Sequence, residues 1–109
     1  VKILLISDNT WVKESLEKYL NFKHELTHMK EYTIVEDYFD YIFVDMQVQN
    51  NGGPSIIREL KRHDPTKNSF IVLIADRDDD EIQAKRVESS GFMVKPITQS
   101  KINNFFNLN

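Results

Sequence analysis

Cysteine is absent from the 109 residues. Disulfides, thiolate metal sites and thiol nucleophiles are therefore excluded, and the absence fits a reducing compartment. Glycine and proline are scarce, at three each, and no low-complexity stretch, internal repeat or linker divides the chain. Neither charge dominates: 14 Lys and Arg against 17 Asp and Glu leave a formal net charge of −3. That balance offers no basic face for nucleic acid and no polybasic patch for a membrane. No apolar run approaches the ~20 residues of a membrane span, and no charged-then-apolar signal opens the chain. The chain starts on Val1 rather than Met, so it is expected to be a piece of a longer protein. The expectation for residues 1–109 is a single domain, long enough to bury roughly two-thirds of its unfolded surface in one core.

What the chain does have is a set of apolar runs that each end on polar residues. Leu4-Leu5-Ile6 leads into Ser7-Asp8-Asn9, and Tyr41-Ile42-Phe43-Val44 into Asp45. Ile71-Val72-Leu73-Ile74 leads into Ala75-Asp76, and Phe92-Met93-Val94 into Lys95-Pro96. Runs of this length, rich in Ile, Val and Phe and separated by helical stretches, read as buried strands of a parallel sheet. Ligands of such sheets bind beyond the carboxyl ends of the strands. Two carboxylates, a small residue and a lysine are thereby delivered to one rim.

The intervening segments complete the pattern. Strands are predicted at Lys2 to Ile6, His24 to Met29, Tyr41 to Val44, Ser69 to Ile74 and Phe92 to Val94. Val12, Leu16, Tyr19 and Leu20 share one face of a first helix. Ile34, Val35, Tyr38 and Phe39 fit a second helix of about two turns over 32–39, shorter than the usual ~11–12 residues. Gln49-Asn50-Asn51-Gly52-Gly53 is a turn signal, and Pro54 suits the first turn of a helix carrying Ile56, Ile57 and Leu60. The acidic run Asp78 to Glu81 favours the start of a helix reaching about Ser90. A last amphipathic helix holds Ile102, Phe105 and Phe106. The predicted fold is α/β: a doubly wound five-stranded parallel sheet with helices on both faces, flavodoxin-like, its second helix short.

The same residues resemble the receiver domain of two-component response regulators over essentially the whole chain. Ile6-Ser7-Asp8-Asn9 is similar to the family's hydrophobic-Asp-Asp-Asn motif, with serine for the first aspartate. Asp45 falls where the family carries its phosphoaccepting aspartate. Met46-Gln47-Val48-Gln49 resembles the Asp-x-Gln-Met-Pro loop with Gln49 replacing proline, and Gly53 matches the glycine closing that loop. Ile74-Ala75-Asp76-Arg77-Asp78 resembles Leu-Thr-Ala-Arg-Asp, with Ala75 at the switch Thr/Ser position. Lys95-Pro96 matches the Lys-Pro after strand five, which implies a cis peptide bond there, and Phe92 sits at the aromatic switch position. Lys23-His24-Glu25-Leu26 resembles the usual start of strand two. The second-helix region and the segment before strand five are each a few residues short of the family.

The chemistry of this residue set is consistent with that resemblance. A carboxylate attacks phosphorus poorly because both partners are surrounded by negative charge. Mg²⁺ neutralises that charge and prefers one or two carboxylates with waters and phosphate oxygens. Asp8 and Asp45 supply two carboxylates, the backbone carbonyl of Gln47 a third ligand, and Lys95 a positive clamp for a phosphoryl oxygen. Positioning and charge stabilisation suffice for phosphoryl transfer. Asp45 is thus the expected nucleophile, Asp8 a metal ligand and Lys95 the clamp.

The departures from the family pattern point to an atypical member. Ser7 removes one negative charge, so Mg²⁺ is expected to bind weakly, with the Ser7 hydroxyl reaching the metal through a water. Ala75 has no hydroxyl for a phosphoryl oxygen, a loss of roughly 1.5–3 kcal/mol. Asp76 stands where the family keeps a small residue and adds a charge that repels a phosphoryl dianion. Phosphorylation with weakened switching through Ala75 and Phe92 is the expected outcome.

Other readings weigh less. His24-Glu25-Leu26-Thr27-His28 matches the zinc-peptidase string His-Glu-x-x-His, but that chemistry needs a helix and a third ligand, for which only His63 is a candidate. The Asp78 to Glu81 run lacks the spacing and glycine of an EF-hand. Trp11 opens the first helix near Asp8 and reads as a partly exposed packing residue. A nucleotide- or flavin-binding domain is disfavoured because Ser7-Asp8-Asn9-Thr10 places an aspartate where a phosphate cradle would stand. Two functions remain: a receiver taking a phosphoryl group from a histidine kinase or phosphotransfer protein, and a phosphorylation-independent pseudo-receiver acting as an interaction module. Neither is an enzyme beyond assisting its own phosphorylation and dephosphorylation. The resemblance implies a cytoplasmic domain with an output domain in the same or another chain, or a homodimer, and no nucleic-acid or membrane contact of its own.

Overall fold

The computed structural model describes residues 1–20 and 24–106. Lys23, part of the stretch resembling the start of strand two, lies outside the described residues. Five parallel strands form the sheet: β1 (Lys2–Ile6), β2 (Glu25–Met29), β3 (Tyr41–Asp45), β6 (Phe70–Ala75) and β7 (Gly91–Val94). Their spatial order is β2-β1-β3-β6-β7, so the chain order reverses beside β1. The register aligns Ile6 with Val44 and Asp45 with Ile74, and Ala75 with Val94.

Alternation along the strands builds two cores. Leu4, Ile6, Ile42, Val44, Ile71 and Leu73 face one way, against Ile56, Ile57 and Leu60 of α2 (Gly53–Arg62) and Ala84 of α3 (Glu81–Arg86). Ile3, Leu5, Phe43, Val72, Ile74 and Met93 face the other, against Val12 and Leu16 of α1 (Thr10–Tyr19) and Ile102 of α4 (Gln99–Phe106). A sheet buried on both faces needs unbroken apolar strands, which is what these segments supply. Among the described residues no helix is long and apolar enough to cross a membrane.

Local chemistry sets the helix limits. Asn9 caps α1, its side chain accepting from the backbone N–H groups of Trp11 (2.9 Å) and Val12 (3.4 Å), which satisfies donors a helix start leaves open. Pro54 sits in the first turn of α2, with Lys61 and Arg62 in its last turn, where each suits the backbone dipole. Gly53 is required there because a Cβ would collide with the carbonyl oxygen of Asp45.

Two expectations need correction. No helix forms over 32–39; the segment runs as an irregular crossing with Val35 and Phe39 buried and Ile34 and Tyr38 exposed. Thr33, Ile34 and Val35 are β-branched, and Tyr32, Tyr38 and Phe39 are weak helix formers too. Glu36 and Asp37 would also lie at the helix's negative end. The segment after strand four starts as a 3₁₀ turn at Asp78–Asp80, and α3 ends at Arg86 rather than near Ser90. Glu88 is left-handed there (φ 54°). Ser90 is recruited to the sheet, its N–H donating to the Ile71 carbonyl at 2.7 Å and its hydroxyl accepting from Ile71 N–H at 3.0 Å. The turn expected from Gln49-Asn50-Asn51-Gly52-Gly53 is present, at the tip of a short antiparallel ribbon of β4 (Gln47–Val48) with β5 (Asn51–Gly52) that turns through Gln49 at φ 52°.

Candidate functional site

Four adjacent strands deliver their last or next residues to one end of the sheet: Ser7 and Asp8 after β1, Asp45 at the end of β3, Asp76 after β6 and Lys95 after β7. The reversal of chain order beside β1 opens the crevice in which such sheets bind ligands. Asp45 is 1% exposed. A carboxylate so buried must be compensated, and two neighbours do so. The Ser7 hydroxyl donates to Asp45 Oδ2 at 2.7 Å. Lys95 Nζ lies 2.8 Å from Oδ1 and forms an ion pair with it.

Ser7 is itself fully buried and held on all sides. Its hydroxyl accepts from Asn9 N–H at 3.0 Å and its N–H donates to the Met29 carbonyl at 3.0 Å. The ring Nε2 of His28 lies 2.7 Å from the Ser7 carbonyl. Position 7 thus presents a neutral hydrogen-bond donor to Asp45.

Lys95 bridges two carboxylates, with Nζ also 2.9 Å from Asp76 Oδ1. Burial alone would depress the ammonium pKa, but the contacts with Asp45 and Asp76 outweigh it, and the net shift is upward. The Lys95-Pro96 peptide bond is cis, as the resemblance implied. From sequence Asp76 is a repelling charge at the site mouth; the structure adds its ion pair with Lys95. Only the fold reveals it, because the two residues are separated by a whole helix and strand.

Asp8 is exposed, and its Oδ2 accepts from Gln49 N–H at 3.0 Å. That bond ties the loop after β1 to the ribbon after β3. Gly53 N–H donates to the Met46 carbonyl at 2.7 Å, and Val48 pairs with Asn51. Antiparallel alternation therefore leaves Gln47 in a non-hydrogen-bonded pair with Gly52, its carbonyl outside the ladder. Ala75 is fully buried at the end of β6. Phe92 is half-buried on the sheet face that packs against Ala84 and Val87. Trp11, at 80% exposure, is far more open than expected. With Asn9, Val12, Ser15, Pro96 and Ile97 it lines a cleft that reaches Lys95.

The carboxylates of Asp8 and Asp45 and the backbone carbonyl of Gln47 are hard oxygen donors of the type Mg²⁺ takes. Among the described residues no cluster of three or more His, Cys, Asp or Glu forms a metal site. The His-Glu-x-x-His string lies mostly on β2, where residues four apart are separated by roughly 13 Å of strand and cannot share an ion. His24 instead packs on Phe106, with ring centroids 5.1 Å apart.

The sequence profile of the response regulator receiver domain matches residues 3–107. Comparison with curated protein sequences returns no match. Among solved structures, the chain is similar to the receiver domain of sensor histidine kinase PA1611 from Pseudomonas aeruginosa, with TM-score 0.84 and 17% identity. The alignment covers 97% of this chain and 93% of that one, and the Pseudomonas structure has a magnesium ion coordinated in its active site cleft. Chemotaxis response regulator CheY4 of Vibrio cholerae gives TM-score 0.79 at 17% identity, covering 98% and 96% of the two chains. A CheY-like receiver domain protein from Methanospirillum hungatei gives TM-score 0.81 at 13% identity, covering 97% and 90%.

Proposed function

The chain belongs to the response regulator receiver domain family, and from that premise we propose that Asp45 accepts a phosphoryl group from a phosphohistidine. A receiver domain is a signalling module rather than an enzyme, and it implies a histidine kinase as partner in general. The observation carrying the proposal is the burial of Asp45 with Lys95 against one oxygen and Ser7 on the other. An oxygen of the Asp45 carboxylate attacks phosphorus, the P–N bond to the donor imidazole breaks, and the ring nitrogen leaves with the electron pair. Lys95 offsets the charge that the phosphoryl oxygens bring. Asp8, Asp45 and the Gln47 carbonyl would hold Mg²⁺, with Ser7 reaching it through water. The ion would supply charge neutralisation between carboxylate and phosphoryl group. With one carboxylate fewer than the family pattern, this binding is weak.

Switching is weakened for a separate reason. A modification shifts a conformational equilibrium only by its differential interaction with the two states. Ala75 offers no hydroxyl to a phosphoryl oxygen, so Phe92 has little reason to respond. A phosphorylation-independent pseudo-receiver is the second reading, favoured by Ser7 and Ala75 together. In either case we place the domain in the cytoplasm, as a single unit over residues 1–109, signalling through an attached or separate output domain or a homodimer. Mass spectrometry after incubation with acetyl phosphate and Mg²⁺ separates the readings. A gain of one phosphoryl group in the wild type but not in Asp45→Asn is the expected result; no adduct in either protein favours the pseudo-receiver.

A further inference from the structure

We propose that Asp76 is a charge gate on this site, holding Lys95 against incoming phosphoryl groups and so discriminating among donors by their charge. The inference rests on the reading of Asp45 as phosphoacceptor.

Lys95 Nζ sits 2.8 Å from Asp45 Oδ1 and 2.9 Å from Asp76 Oδ1. An ammonium has three N–H donors and one positive charge. Two carboxylates already over-neutralise it. A phosphoryl group arriving at Asp45 brings close to two further negative charges and needs the same ammonium. Asp76 must then release Lys95 or share it at the expense of repulsion. The side chain of Asp45 is 2% exposed and that of Asp76 is 56% exposed, so Asp76 is the solvent-side partner of the pair.

Asp76 is also fixed in place. Its N–H and that of Arg77 both donate to Asp80 Oδ2, at 3.2 and 3.1 Å. Those bonds anchor the backbone at the exit of β6, so the carboxylate moves only by its own rotamers. Among the described residues its one ion pair is with Lys95; no second cation relieves Lys95 of it. The neighbouring Asp78, Asp79 and Asp80 add charge of the same sign as a donor. Such a gate resists a dianionic donor more than one carrying less net charge. Acetyl phosphate is a dianion near neutral pH, whereas phosphoramidate, with its protonated nitrogen, is close to a monoanion.

The test is a rate series of Asp45 phosphorylation, followed by mass spectrometry over donor concentrations from below to above half-saturation, in the wild type, Asp76→Asn and Asp76→Glu. Circular dichroism confirms that each is folded. With acetyl phosphate, Asp76→Asn is expected to label about three- to tenfold faster, as one partly exposed charge contact permits. The gain should lie in a lower half-saturating donor concentration rather than a higher maximal rate. With phosphoramidate the gain should be less than about twofold, and Asp76→Glu should behave as the wild type. Equal rates in wild type and Asp76→Asn overturn the gate while leaving Asp45 as acceptor. The same acceleration with both donors, or by Asp76→Glu as well, also overturns it, because local loosening and not charge would be responsible. No adduct at Asp45 in any protein with either donor overturns the phosphoacceptor reading, and the gate falls with it.

Discussion

Ser7→Asp restores a third carboxylate to the site, and its consequences can be worked from the contacts of Ser7. In the wild type the Ser7 hydroxyl donates to Asp45 Oδ2 at 2.7 Å, both residues being almost wholly buried. The substitution removes a hydrogen bond to a charged acceptor, worth roughly 1.5–3 kcal/mol. It also places a second carboxylate within a few ångströms of the first; like charges 4 Å apart repel by about 4 kcal/mol at an effective dielectric constant of 20. Protonation of one of the pair and the nearby Lys95 ammonium relieve part of that. A net loss of about 3 kcal/mol without metal is expected, which lowers the melting midpoint of a domain this size by roughly 10–20 °C. Magnesium reverses the sign of the interaction, since two adjacent carboxylates now share a cation. At a hundredfold excess over its Kd the ion returns about 2.7 kcal/mol. Differential scanning calorimetry in EDTA and across a Mg²⁺ series measures both quantities. The wild type should be the more stable protein in EDTA and should gain much less from Mg²⁺. Equal stability in EDTA, or equal gains from the ion, would refute the view that the Ser7 hydroxyl replaces a metal-binding carboxylate.

Further outcomes follow from other contacts. Gly53→Ala drives a methyl group into the Asp45 carbonyl and against Leu73; a loss of about 2 kcal/mol or more in urea unfolding is expected, with weaker labelling of Asp45. Ala75→Thr should make the chemical shifts of Phe92 and α4 respond to magnesium and beryllofluoride, where the wild type responds little. Asp40 holds its carboxyl below the usual range, chiefly because Lys2 N–H donates to it and secondly because Tyr38 does, against an opposing effect of burial. A depressed folded pKa stabilises the fold above the unfolded value of ~3.9 and is lost as pH falls through the folded value. Asp40→Asn should therefore lower stability at pH 7 and flatten the acid side of the stability profile, the two proteins converging below about pH 4 as the wild type loses that contribution.

The strands and the rim residues were legible because each rests on a short local signal: a buried apolar run ending on a polar residue. The sequence alone assigns Asp45, Asp8 and Lys95 to one end of the sheet, since the direction of a parallel strand fixes where its last residue goes. The crossing at 32–39 mimics a helix in sequence because Ile34, Val35, Tyr38 and Phe39 satisfy helical spacing. Only Val35 and Phe39 are buried, and low propensity with acidic residues at the wrong end outweighs a four-residue coincidence. The bonds that characterise the site, Ser7 to Asp45 and Asp76 to Lys95, join residues 38 and 19 positions apart. Spacing along a chain carries no trace of which carboxylate an ammonium will choose.

The helixless crossing bears on how the native protein opens. β2 is an edge strand, half-exposed along its length, and it is joined to β3 by backbone without helical hydrogen bonds. Segments with few buried contacts and solvent-facing amides open at free energies well below that of global unfolding. β2 and the crossing should therefore form the first cooperative unit to exchange its amide hydrogens, ahead of β1, β3 and β6. That unit carries the Met29 carbonyl and the His28 ring, which grip the backbone of Ser7 on either side of its peptide. Each transient opening at the sheet edge loosens the residue that holds Asp45 Oδ2, so fluctuation at the margin and the readiness of the acceptor carboxylate share one equilibrium.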